Sequence, residues 1–89
     1  MVNRIIFYDI VLDFEKYMIL RGYSKKNIQG CKYLANRILA VYDGNMSNIP
    51  NNCDEIMYKI KGNKNKYPTI RTQVYRFLEF IENQNSFKL

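Results

Sequence analysis

The chain has 89 residues, of which 47% are hydrophobic and 25% are charged, as expected for one globular domain with a modest core. It contains no His and only two Cys, which excludes a His-based general acid or base, a Ser–His or Cys–His nucleophile, a disulfide framework and a four-Cys zinc site. Fourteen Lys and Arg against eight Asp and Glu give a net charge of +6, which favours nucleic acid or another anionic partner.

The sequence shows no targeting signal and no run that approaches the ~18 apolar residues of a membrane span. The apolar stretch near the N-terminus is soon interrupted by Asp9 and Asp13. We therefore expect a cytoplasmic protein with no membrane partner, no cofactor, no metal and no small-molecule ligand. Cys31 and Cys53 are expected to be small buried hydrophobic residues.

Two helices are predicted in the first half of the chain. Apolar residues at spacings of three and four predict a helix over residues 4–21, and Gly22 provides a left-handed stop. Ser24 is a typical N-cap for a second helix over residues 25–43. Gly30 lies inside that helix at a cost of up to ~1 kcal/mol relative to Ala, which we interpret as close packing against another backbone.

Two further helices are predicted in the second half. Asn52 begins a capping-box pattern that opens a short helix over residues 53–61. Pro68 suits the first turn of a fourth helix over residues 69–83, and residues 84–89 are expected to form a frayed tail. The prediction is an all-α bundle of four helices with short connections, and it forms one domain over residues 1–89.

Positive charge is concentrated in two parts of the chain. Residues 16–42 contain six bases and no acid, and residues 56–78 contain six more and no acid. Lys and Arg neutralise phosphates and release counterions, and Asn, Gln and Arg can read base edges in a groove that admits a helix. We therefore predict that the positive sides of the second and fourth helices point the same way and bind duplex DNA.

The candidate DNA-binding residues belong to the second helix, to the loop before the fourth helix, and to the fourth helix itself. The two loop lysines are expected to contact phosphates, and Gln29, Lys32, Gln73 and Arg76 to approach base edges. The full set is Lys25, Lys26, Gln29, Lys32, Asn36, Lys64, Lys66, Arg71, Thr72, Gln73 and Arg76.

Residues 14–31 resemble the N-terminal core-binding domain of phage integrases, the tyrosine recombinases. The turn Gly22-Tyr23-Ser24 and the following Ile28 fit the family pattern of a Gly-aromatic-Ser turn that opens the second helix. Residues 71–81 are similar to the family's last helix, in which a basic residue precedes an aromatic-rich end. The resemblance covers nearly the whole chain, in the order and spacing of its four helices.

This resemblance implies a SAM-like helical bundle that clamps one side of duplex DNA with its second and fourth helices. A separate domain would hold the catalytic residues, so no catalytic residue and no enzyme activity are expected in this chain, which would be a fragment of a longer integrase or a stand-alone remnant. Other recombinase protomers are implied as further partners. The sequence departs from the family pattern at Asn27, where Thr is usual, and at Cys31, where Tyr is usual.

Two other functions compete with duplex binding. A small protein–protein interaction module is the main alternative, since SAM-like bundles serve both roles and Phe80 and Phe87 are expected to be exposed near the end of the chain. RNA binding would use the same electrostatics. An enzyme is disfavoured because the chain offers no acid/base pair and no metal-binding set.

Overall fold

The computed structural model describes the backbone of residues 3–60 and 67–87, and the side chains of residues 9–60 and 68–83. Four α-helices and one short 3₁₀ helix make up this part of the chain, which contains no strand. The all-α, four-helix prediction is therefore confirmed. The elements are α1 (Asn3–Leu20), α2 (Lys25–Val41), the 3₁₀ helix (Met46–Asn48), α3 (Cys53–Ile60) and α4 (Tyr67–Phe87). None of these helices has both the length and the apolar character needed to cross a membrane.

The fourth helix is longer than the sequence predicts. α4 starts at Tyr67, so Pro68 lies in its first turn, and it continues to Phe87 through residues assigned to a frayed tail. The physical reason is that no Gly or Pro follows Pro68, so nothing in the sequence interrupts the hydrogen-bond ladder. The 3₁₀ helix Met46–Asn48 was also not predicted, and it tightens a segment expected to be a polar loop.

The turn between α1 and α2 forms as its residues predict. Gly22 has a φ of 85°, and the amide of Tyr23 donates to the carbonyl of Met18 at 3.2 Å, which satisfies the end of α1. Ser24 then caps α2, because its hydroxyl accepts a hydrogen bond from the amide of Asn27 at 3.3 Å. This turn fixes the direction in which α2 leaves α1.

The hydrophobic core draws on all four helices and on Ile49, which follows the 3₁₀ helix. Among the described residues every buried side chain is apolar, and Cys31 and Cys53 are buried as predicted. Burial raises the pKa of both thiols above the usual value, which keeps them protonated and unreactive near neutral pH. The fully buried large side chains are Phe14, Met18, Ile38, Leu39, Ile56, Val74, Phe77 and Phe80.

An aromatic cluster joins α1 to the second half of α4. The ring of Phe14 lies 5.1 Å from the rings of both Phe77 and Phe80, and Tyr17 lies 5.5 Å from Phe80. The prediction that Phe80 is exposed is therefore wrong, since only 2% of it is accessible. The side chain of Phe87, the other aromatic of that prediction, lies outside the described residues.

A polar cluster covers one edge of these aromatic rings. The Tyr17 hydroxyl donates to Glu79 at 2.9 Å and accepts from the amide of Asn83 at 3.0 Å. Arg21 forms an ion pair with the same carboxylate at 3.3 Å. Burial and then the hydrogen bond to Glu79 raise the pKa of Tyr17. These contacts fix the register of α1 against α4.

Candidate nucleic-acid interface

The first halves of α2 and α4 approach each other closely at Gly30 and Gln73. A Cβ placed on Gly30 would lie 2.6 Å from the amide nitrogen of Gln73, which is too close for ordinary contact. Gly30 is thus a site of close packing, but the prediction of a backbone neighbour is wrong, since the atoms within 4 Å belong to the Gln73 side chain. The contact brings the acid-free parts of both helices together.

Arg76 follows Gln73 by about one turn of α4 and also faces α2. Its guanidinium carbon lies 4.4 Å from the centre of the Tyr23 ring, a cation–π geometry. The same group lies beside the thiol of Cys31 and partly offsets the effect of burial on the pKa of that thiol. The sequence did not reveal the Tyr23 contact, because the pair is separated by 53 positions and no local spacing links them.

Two bases of α2 lie on the same side of the helix as Gly30. Lys26 precedes Gly30 by four residues and is exposed, while Arg37 follows it by seven and is half-buried. Arg37 donates a hydrogen bond to the carbonyl of Ile60, at the end of α3. Arg37 therefore holds α3 in place, and Lys26 is the base on this side that faces solvent.

We define the α2–α4 seam as the surface formed by Lys26, Gly30, Gln73 and Arg76, together with the exposed residue Thr72. The Thr72 hydroxyl donates to the carbonyl of Pro68 at 3.0 Å, which leaves its oxygen free to accept from a ligand. Every member of the seam except Gly30 is one of the eleven predicted DNA-binding residues, so the seam contains four of them.

The polar stripe on the other side of α2 faces α1 and not α4. Its members recur at spacings of four, three and four, which keeps them on one side of the helix. The ammonium nitrogen of Lys32 lies 3.3 Å from a carboxylate oxygen of Glu15 on α1, in an ion pair. The stripe is Lys25, Gln29, Lys32 and Asn36. These four predicted residues therefore do not join α4 in one continuous positive surface.

Arg71 is turned toward α3. Its guanidinium lies 2.7 Å from a carboxylate oxygen of Asp54, which is itself 77% exposed. This hydrogen bond is the largest cause of the raised pKa of Arg71. The prediction that Arg71 offers an uncompensated positive charge is not met here, because Asp54 neutralises it locally.

Lys64 and Lys66, predicted to contact phosphates, lie outside the described residues. Within the described part of the chain, no group of three His, Cys, Asp or Glu side chains is arranged to hold a metal ion. The chemistry available at the seam is therefore hydrogen bonding and charge pairing by Lys, Arg, Gln and Thr. Family models, curated protein sequences and solved structures were compared with this chain, and none of them matches it.

Proposed function

We propose that this domain binds duplex DNA through the α2–α4 seam, as the core-binding domain of a tyrosine recombinase whose catalytic residues reside elsewhere. The observation that carries the proposal is the close approach of Gly30 and Gln73, which joins two segments without acidic residues into one surface. A surface of that composition attracts the phosphate backbone, and no carboxylate within either segment opposes it.

The side chains of the seam differ in what they offer to DNA. Lys26 is exposed and flexible, which suits a phosphate contact. Gln73 and Arg76 present amide and guanidinium donors that suit base edges in the major groove. Arg76 is already held against Tyr23, so it loses less side-chain freedom on binding than an unrestrained arginine.

Lys32 and Arg71 have a smaller part in this proposal. Each is in a partly exposed ion pair with a carboxylate, Glu15 or Asp54, and such pairs contribute little to stability. A phosphate could displace either carboxylate, but the released carboxylate would remain nearby and repel it. We therefore assign both residues to the margin of the interface.

The experiment is a fluorescence-anisotropy titration of labelled duplex DNA at several salt concentrations. Phosphate contacts by Lys26 and by Lys64 and Lys66, the two loop lysines predicted for this role, give an expected slope of about −3 in log K against log salt. Lys26→Ala should make this slope shallower by about 0.9, the contribution of one phosphate. Lys16→Ala is the matched control, since it removes an exposed lysine of α1 outside the seam and should leave the slope nearly unchanged.

Arg76→Met tests the base-edge role while keeping an unbranched side chain on Tyr23. It should lower affinity for the preferred duplex more than for unrelated duplexes, with circular dichroism showing an intact bundle. A flat salt response, equal losses for Lys26→Ala and Lys16→Ala, or tighter binding of single-stranded RNA than of duplex would each contradict the proposal.

A further inference from the structure

The polar stripe of α2 that does not belong to the seam lines a groove between α1 and α2. Two adjoining hollows occur there and share Glu15 and Lys32. Lys25 lies toward one end and Asn36 toward the other, eleven positions apart, which corresponds to about 16 Å along a helix axis. The groove is long enough to hold about three turns of a second helix.

The walls of this groove differ in chemistry. The α1 wall is partly apolar, with Leu12 half-buried and Ile19 58% exposed, and Glu15 lies between them. The α2 wall carries Lys25 and Lys32 and no acid. Because Glu15 already pairs with Lys32, the positive charge of Lys25 is left without a carboxylate among the residues that line the groove.

We propose that this groove binds an amphipathic helix with an acidic edge, supplied by a protein partner. Apolar residues of that helix at positions i, i+3 or i+4, and i+7 would cover Leu12 and Ile19. Its acidic edge would face α2, where Lys25 is unopposed and Lys32 can exchange Glu15 for the partner's carboxylate. The positive charge of the α2 wall and the apolar surface of Leu12 and Ile19 on the α1 wall together determine this choice of partner.

DNA is a poor fit for the same groove. A phosphate backbone would meet Glu15 and the exposed side chain of Ile19, neither of which it can bind favourably. Tyr23 borders both the groove and the α2–α4 seam, because its ring also contacts Arg76. The lysines of the two surfaces lie on different sides of α2, so this proposal does not depend on DNA binding. The two can be tested by different substitutions in the same domain.

The test uses the full chain and a displayed library of helix-forming peptides with fixed Leu at i, i+3, i+7 and randomised flanking positions. We expect enrichment of Glu and Asp along one flank, and amide shifts in NMR spectra that centre on Ile19, Lys25 and Lys32 when an enriched peptide is added. A version of that peptide with its acids changed to Lys should bind at least tenfold more weakly.

Matched variants locate the site. Ile19→Asp and Lys25→Glu should each weaken binding of the enriched acidic peptide at least tenfold. Leu20→Asp makes the same chemical change at the adjacent residue, which is 86% exposed and does not line the groove, and should change affinity less than twofold. Lys59→Glu alters the net charge as much as Lys25→Glu does, but on α3, and should also have little effect.

Four results would overturn the proposal. Enrichment without acidic flanks would remove the charge argument, and equal losses for Lys25→Glu and Lys59→Glu would indicate attraction to the whole domain. Amide shifts confined to Gln73 and Arg76 would place the peptide on the seam. Concentration-dependent dimerisation that Ile19→Asp abolishes would show that a second copy of the chain covers the groove.

Unchanged duplex binding by Ile19→Asp would separate this site from the proposed DNA surface.

Discussion

Replacing Gly30 with Ala is expected to stabilise the bundle and, at the same time, to weaken DNA binding. Gly inside a helix costs about 1 kcal/mol relative to Ala, because it loses more backbone freedom on folding, so the substitution begins with a gain of that size. The added Cβ would lie 2.6 Å from the amide nitrogen of Gln73. That nitrogen must withdraw by about 1 Å to reach ordinary van der Waals contact.

The withdrawal involves a side chain that is able to move. The amide is the far end of a flexible chain and Gln73 is only half-buried, so a torsional adjustment costing about 0.5 kcal/mol is sufficient. The free energy of unfolding of Gly30→Ala should then exceed that of the unsubstituted chain by about 0.5 kcal/mol. This corresponds to a Tm increase of about 2–4 °C for a domain of this size. In a Gln73→Ala background the gain should reach about 1 kcal/mol, because the displaced amide is absent.

The assay is a double-mutant cycle over Gly30 and Gln73, measured by urea and thermal unfolding with circular dichroism and by DNA anisotropy. Duplex affinity should fall in Gly30→Ala and should fall no further when Gly30→Ala is added to Gln73→Ala. A lower Tm for Gly30→Ala would refute the reasoning, since it would mean that the helix backbones themselves set the separation. An equal effect in both backgrounds would show that Gln73 is not the neighbour that matters.

Three further outcomes follow from burial, backbone conformation and titration. Gly22→Ala should lower stability by about 1 kcal/mol in urea unfolding, opposite in sign to Gly30→Ala, because its φ is 85° although no atom lies within 4 Å of the new Cβ. Phe80→Ala should cost about 3–5 kcal/mol and leave much of the domain unfolded by circular dichroism, whereas an exposed Phe80 would tolerate it. Burial raises the pKa of the Cys31 and Cys53 thiols above 9.0. Burial is also the largest cause that raises the pKa of Tyr17 above 10.0, so the folded state holds all three protons more tightly than the unfolded chain does. Stability should therefore be full below pH 9 and decline above it in urea titrations, and Tyr17→Phe should flatten only the part of the decline above pH 10.

The helices were predictable because their apolar residues recur at helical spacing and their ends carry strong signals. Ser24 and Gly22 each act through local backbone conformation, which depends on few neighbours, and both do what the sequence indicates. Phe80 shows where this reasoning fails. It lies outside the stripe of Ile70, Val74 and Phe77, and it is buried because α1 covers a second side of α4. A single helix's pattern does not state how many neighbours will pack against it.

The candidate site was predictable only in its composition. The acid-free segments are visible in the sequence, but the neighbour that each side of α2 meets is set by tertiary packing. Glu15 is 17 positions before Lys32, and Asp54 is 17 before Arg71, so no helical spacing links either acid to its base. Both pairs form where helices pack side by side, and each removes one predicted residue from the unpaired positive charge.

The division of α2 into two sides explains why charge alone is a weak guide to this domain's partners. Lys25 and Lys26 are adjacent in sequence and have the same chemistry, yet Lys25 lines the groove with the exposed Ile19, whereas Lys26 lies one helical turn before Gly30, on the side that meets Gln73 of α4. A partner that needs aliphatic contact together with positive charge finds both on the first surface, where Ile19 is exposed beside Lys25. A phosphate backbone, which gains nothing from apolar contact, is better served by the second. Reversing each lysine separately, and measuring both duplex and acidic-peptide binding for each variant, therefore separates functions that the net charge of the chain does not distinguish.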